Sequence, residues 1–321
     1  MAISNYPGGF QNGLLVKGVP IEVPHPGKVF WVNNSSVLPE GGIGGSDGNP
    51  GTYLKPFSTI DYAIGKCTAN RGDVIYVMPG HFEIITGASG VDFDVAGIRV
   101  IGLGYGSKMA TIDFNHANAT ATVDADDVAL INLKFHADVT GVVVGLSIIT
   151  LATDCLVKDC VFSVETAATD EFNRAINVGV GCDRLVIDGC KIDMGLGGAV
   201  AAISLVGATT DVLISRNMIR GDYSTGNITS ETTASVNVHI VDNDLLNGRS
   251  DNINSEPVLE FTTLTTSGMV ARNYILSDLA TQAAATVGTD MVYYENFRSD
   301  EKGAGITGHT SSATIVISAD A

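Results

Sequence analysis

Val212-Leu-Ile-Ser-Arg-Asn-Met-Ile219, Val238-His-Ile-Val-Asp-Asn-Asp-Leu245 and Gly268-Met-Val-Ala-Arg-Asn-Tyr-Ile275 are copies of one pattern, and its repetition decides the fold. Three earlier copies precede them: Val128-Ala-Leu-Ile-Asn-Leu-Lys-Phe135, Cys155-Leu-Val-Lys-Asp-Cys-Val-Phe162 and Leu185-Val-Ile-Asp-Gly-Cys-Lys-Ile192. The sixth residue of each serves as a register mark: Leu133, Cys160, Cys190, Asn217, Asn243, Asn273. The marks are 27, 30, 27, 26 and 30 residues apart. Two positions after every mark stands a large apolar residue: Phe135, Phe162, Ile192, Ile219, Leu245, Ile275. Six positions before it stand Asp127, Asp154, Asp211, Asn237 and Ser267, with Asp183 one place off.

A period of this length means stacked repeats. The copies are rich in Val, Ile, Asp, Asn and Gly, and the links carry almost no helical periodicity, which argues against helical repeats. Leucine-rich repeats need a tighter Leu pattern and a steadier length. Short alternating strands broken by Asp, Asn and Gly turns fit an all-β, right-handed parallel β-helix. There, equivalent side chains stack about 4.8 Å apart. Asn217, Asn243 and Asn273 should form an inward ladder, continued by Cys160 and Cys190 as small buried thiols. A solenoid core grows along one axis, so one long domain suits 321 residues that are 45% hydrophobic.

The formal charge of −17, from 18 basic and 35 acidic residues, opposes nucleic-acid and anionic-membrane binding. No apolar run reaches the length of a membrane span, and the first residues lack the charged-then-apolar order of a secretory signal. The five cysteines, Cys67, Cys155, Cys160, Cys182 and Cys190, are odd in number and lack metal-type spacing. Cys155 with Cys182, and Cys160 with Cys190, are expected to face each other as stacked thiols. No cofactor is expected.

Residues 1–28 form a Gly/Pro-punctuated arm whose apolar residues, Tyr6, Phe10, Leu14, Leu15, Val19 and Ile21, have no core of their own to enter. They suggest packing on a partner subunit. Lys28–Asn33 reads as a first strand. Gly41–Gly51 is a loop without the Lys-Ser/Thr pair of a phosphate-binding turn. A helix is expected near residues 58–67, capped by Ser58 or Thr59, with Ile60, Ala63, Ile64 and Cys67 on one face, closing the end of the core. The solenoid should run over 29–300. Ile98–Leu103 starts a coil ahead of the main run. Met291–Phe297 is expected as a last coil with Asn296 one position out of register. Residues 301–321 are a tail or a closing strand.

Pro56-Phe-Ser-Thr-Ile-Asp-Tyr-Ala-Ile64 followed by Gly72-Asp-Val-Ile-Tyr-Val-Met-Pro-Gly-His81 resembles the opening of pectin-lyase-like β-helix domains. The wider block, from Asn5–Phe10 through Gly45–Tyr53 to Pro79–His81, resembles a family of tailed-bacteriophage virion proteins over about the first 105 residues. The resemblance implies a non-enzymatic virion structural protein. It would be made in the host cytoplasm and carried on the particle surface as a capsid decoration or cement protein. Its partners would be the major capsid protein or a tail component, reached through the arm, and its own copies, as a homotrimer.

The competing reading is a glycan-binding or glycan-cleaving tail spike, which predicts a groove with paired acids or exposed aromatics along one face. The candidate acids are Asp124, Asp126 and Asp127, Asp154 with Asp159, Asp183 with Asp188, and Asp242 with Asp244. Most fall where the repeat turns, so they read as turn formers. Asp242 and Arg272 share a position on successive coils and read as a surface ion pair. His25, His81, His116, His136, His239 and His309 are scattered, and no Ser/His/Asp nucleophile motif is present in sequence.

Overall fold

The computed structural model describes residues 27–35, 42–149, 151–167, 169–230, 233–248, 257–261, 265–277 and 290–299, with the short strands Leu15–Val16, Val19–Pro20 and Ala285–Thr286. Three parallel sheets of ten, nine and eight strands wind around one axis. Each coil gives one strand to each sheet, so the chain is a parallel β-solenoid.

Each repeat copy is two strands around a corner. In the copy at Val128 these are Ala129–Ile131 and Lys134–Ala137. The corner is the residue just before the register mark. It adopts a positive φ in Asn132, Asp159, Gly189, Arg216, Asp242, Arg272 and Glu295. Gly and Asn suit this left-handed region; Arg and Glu reach it at a steric cost of about 1–2 kcal/mol. Between the third and first sheets a second file of positive φ runs through Gly97, Asp127, Asp154, Arg184, Asp211 and Asn237. The irregularity at Asp183 is thereby explained: Arg184 turns the corner, and Asp183 accepts the N–H of Thr210 at 2.7 Å.

The core follows from register. On the first sheet Val100, Leu130, Val157, Ile187, Ile214, Ile240 and Val270 stack in line, all buried. On the second, Ile112, Phe135, Phe162, Ile192, Ile219, Leu245 and Ile275 do the same. The third sheet, built from Val142–Ile148, Phe172–Val178, Ala201–Leu205 and their neighbours, closes the triangle with Leu146, Ile176, Ile203, Ile228 and Leu259.

The amide ladder lies at the turn from the first sheet to the second. Asn243 Oδ1 accepts both the backbone N–H and the side-chain N–H of Asn217, and its Nδ2 donates to Ile214 O and Asn273 Oδ1. Cys190 and Cys160 lie on the same line. Their Sγ atoms reach Val157 O and Leu130 O, each at 3.6 Å, the same carbonyl file that the Asn amides use.

Coils are present from Val74–Val77, Phe82–Ile85 and Val91–Phe93 onward, within the expected span. Three expectations need correction. Asn296 is in register, since Met291 pairs with Gly268 and Asn273 donates to Asn296 Oδ1. Cys155 does not face Cys182. Leu156 pairs with Val186 and Ile148 with Val178, so Leu185 lies over Cys155 and Cys182 over Ala152. The helix is shorter, Ile60–Ile64, with Thr59 as its cap and Gly65 ending it.

This helix still covers the end of the core, burying Ile60, Ala63 and Ile64. Glu83, pointing inward, accepts the Ile60 N–H at 2.9 Å and meets His81 Nε2 at 3.0 Å. His81 Nδ1 accepts the Asn34 N–H, so Nε2 carries the proton given to Glu83. Asp47, in the Gly-rich loop, accepts the N–H groups of Ser58 and Thr59. The first strand, Val29–Val32, pairs parallel with Val74–Val77. Leu15–Val16 and Val19–Pro20 pair antiparallel in a separate two-stranded sheet. The arm positions Tyr6, Phe10, Leu14 and Ile21, and the tail 301–321, lie outside the described residues.

Candidate functional site

The outer face of the second sheet gathers the chemistry. Because strands alternate, the residues one and three places after each mark point away from the core. The first of these rows reads Thr111, Lys134, Val161, Lys191, Met218, Asp244, Tyr274, Phe297. The second contains Asp113, His136 and Ser163 on three consecutive coils.

At one end of this face lies an aromatic platform. The rings of Tyr274 and Phe297 stack with centroids 5.0 Å apart and planes 11° from parallel, and Tyr274 is half exposed. Beside them Arg272 grips Asp242 with two bonds, Nε to Oδ1 at 2.7 Å and a terminal N to Oδ2 at 2.8 Å. The guanidinium holds the Asp242 carboxyl below the usual range. Asp242, Arg272, Tyr274, Glu295 and Phe297 line an open depression of about 310 Å³. One and two coils before Tyr274, Asp244 and Arg220 pair at 2.8 Å.

At the other end His136 bridges two partners. Its Nδ1 is 3.0 Å from Ser163 Oγ and its Nε2 3.1 Å from Glu165 Oε2. On the neighbouring coil Asp113 is buried, and its Oδ1 has no hydrogen-bond partner among the described residues. Burial first, and the nearby Asp138 second, push its carboxyl upward. Asp138 in turn accepts from Asn115 Nδ2 at 2.7 Å. Four strand spacings separate Ser163 from Tyr274, about 19 Å at 4.8 Å each.

The acids singled out from sequence are spread along the corners. Asp126 accepts the Thr153 N–H at 2.7 Å, Asp154 is held by Arg184 at 2.6 Å, and Asp188 accepts from Ser215 and pairs with Arg216. Asp127, Asp154, Asp159 and Asp242 occupy positive-φ turns. Among the described residues no group of His, Cys, Asp and Glu side chains is arranged to hold a metal ion. The cysteines are free thiols; burial raises Cys67 to about 12 and Cys155 to about 11, which disfavours thiolate chemistry.

Sequence reasoning missed the His136 group because its members come from different repeats. The signal was available: His136 and Ser163 both stand three places after their marks, and Glu165 five. The Asp242–Arg272 pair was anticipated; its neighbours Tyr274 and Phe297 were not.

No protein-family model matches the chain, and no curated protein matches it. Among solved structures a rhamnogalacturonan lyase is similar, at 15% identity over 86% of this chain and 89% of that one, with a TM-score of 0.37.

Proposed function

We propose that this solenoid binds an extended neutral glycan along the outer face of its second sheet. The observation that carries the reading is the Tyr274–Phe297 platform set beside the Asp242–Arg272 pair and Glu295. In this stacked pair each ring keeps one face turned away from its partner, and such a face offers a flat apolar surface to the C–H side of a sugar, while charged groups beside it bond the hydroxyls. A parallel solenoid repeats its surface at a fixed step, which suits a polymer better than a compact ligand. The charge of −17 disfavours polyanionic chains, so neutral polysaccharides are the class expected.

Affinity electrophoresis through gels containing neutral polysaccharides tests this. Retardation by at least one of them is expected, and Tyr274→Ala should weaken it about tenfold or more, as loss of a stacking contact implies. A wild-type protein that migrates unretarded in all of them, or a Tyr274→Ala protein as retarded as wild type, overturns the reading. Assay of the same mixtures for released oligosaccharides separates binding from cleavage.

A second reading, a non-enzymatic virion structural protein held by its arm to a capsid or tail protein, rests on the sequence resemblance. One observation favours it. The ladder of Leu15–Val16 with Val19–Pro20 stands apart from the three solenoid sheets, as a separate attachment element would. Removing residues 1–27 should leave the coils folded and abolish binding to the particle; normal binding by the truncated protein ends that reading.

A further inference from the structure

We propose that Ser163, His136 and Glu165 form an ester-cleaving site on the second sheet, with Ser163 as nucleophile and small carboxylic esters as its substrate class. The inference is independent of the glycan reading, because it rests on a different set of residues.

For a neutral imidazole, the two contacts determine the tautomer. An ionised Glu165 can only accept, so the contact at 3.1 Å requires the proton of neutral His136 to sit on Nε2. Nδ1 is then an acceptor, and the contact at 3.0 Å requires the Ser163 hydroxyl to donate to it. A hydroxyl donating to an unprotonated ring nitrogen, with the other ring nitrogen held by a carboxylate, is the arrangement of an activated serine. Two features place it on one face. His136 and Ser163 are paired residues on adjacent parallel strands, and Glu165 follows Ser163 by two places, on the same side. His136 is largely shielded from water, with only 10% of its side chain exposed, whereas Glu165 reaches solvent.

Asp113 supplies the second observation. It is the residue paired with His136 on the side away from Ser163, it is 2% exposed, and its Oδ1 has no hydrogen-bond partner among the described residues. A buried carboxyl without a partner is costly in a resting structure. Beside an imidazole that becomes positively charged during reaction it gains a counter-ion at that moment. Asp113 and Glu165 are thus positioning residues, and Ser163 and His136 the catalytic ones. Lys134 and Lys191, on the neighbouring outward row, are the nearest cationic residues by register to meet a developing oxyanion.

The reaction balances without a further reagent. Ser163 Oγ bonds to the ester carbonyl carbon as its proton passes to His136 Nδ1. The carbonyl–alkoxy bond then breaks, and the leaving alcohol takes that proton. Water repeats the sequence on the acyl-serine, releasing the acid and restoring the hydroxyl.

The experiment uses the full chain, p-nitrophenyl acetate as substrate and a fluorophosphonate as covalent probe, read by intact mass and peptide mapping. Turnover above the buffer rate and a single adduct on Ser163 are expected. Ser163→Ala should lose both, with turnover down about 100-fold or more, and His136→Gln should match it. Glu165→Gln should lower kcat with KM within about twofold, a split that a merely structural role would not produce. The Ser163→Ala protein must keep the wild-type melting transition; if it does not, Ser163→Cys, which keeps a nucleophile of similar size, is scored by its own adduct at that position. Absence of turnover and adduct in a folded wild-type protein, or turnover that survives Ser163→Ala, overturns the proposal. Ester turnover and retardation in polysaccharide gels are read separately, so failure of this site and failure of glycan binding are distinguishable.

Discussion

Asn243 shows how much one side chain can hold in a solenoid. Its amide makes four bonds to three residues on neighbouring coils, all in a site that excludes water. Truncation to alanine leaves the Asn217 N–H without its acceptor and the Ile214 carbonyl without the amide donor. Unsatisfied buried groups cost about 1–3 kcal/mol each, so Asn243→Ala should lose about 2–5 kcal/mol in urea unfolding. Asn243→Cys should fall between wild type and Asn243→Ala, because the thiols of Cys160 and Cys190 already reach the equivalent carbonyls of the coils before theirs. A thiol restores a weak donor but no strong acceptor. An alanine variant within about 0.5 kcal/mol of wild type would mean that water enters the ladder line and replaces the amide.

Two neighbouring strands of the second sheet are joined by an aromatic stack that runs between coils. Phe135 and Phe162 lie face to face, with centroids 4.7 Å apart and planes 8° from parallel, and Phe172 of the third sheet meets Phe162 edge-on at 6.3 Å and Phe114 at 4.9 Å. Phe162 touches two of these rings and is fully buried. Phe162→Ala should therefore cost about 3–5 kcal/mol, and Phe162→Leu clearly less, by chemical denaturation. Equal losses would show that ring geometry matters more than volume. The file of large residues two places after the mark was readable in sequence because the second-sheet strand follows its corner at a constant offset. The third-sheet strands were not readable, because they lie in links of unequal length and carry no fixed offset. Nor do corner residues such as Arg216 and Arg272 advertise their left-handed backbone, since Gly or Asn would be expected there. The first-sheet strand at Val29–Val32 was legible from its own β-branched and aromatic residues, although the helix and the Gly-rich loop separate it from its partner. The His136 group needed the register of three coils before its parts could be seen together.

For the whole molecule, acidity and fold stability are coupled through two opposed sets of carboxyls. Asp92, Asp113 and Glu171 are pushed up chiefly by burial, with Asp94, Asp138 and Asp170 adding to the push respectively. A carboxyl whose folded pKa exceeds its unfolded one favours the folded state at low pH and loses that contribution as pH rises through the folded value. Asp154 and Asp242 are pulled down by Arg184 and Arg272. At Asp73 burial is the largest influence and opposes ionisation, but the Arg71 guanidinium and the N–H groups of Thr68 and Lys28 outweigh it. These three contribute above the unfolded carboxyl range, near pH 4, and lose that contribution as pH falls through their lower folded values. The charge of −17 adds self-repulsion that eases on mild acidification. The melting temperature should accordingly peak at about pH 5 and decline towards pH 8. Asp113→Asn should melt higher than wild type at pH 8 and converge with it as pH falls below the unfolded carboxyl value, about 4. Salt at about 1 M should remove the part of the decline due to net charge and leave the difference between Asp113→Asn and wild type, since screening acts on exposed charges more than on a buried one. A melting temperature that does not fall from pH 5 to pH 8 would show that neither the buried acids nor the net charge sets the stability of the coils in this range.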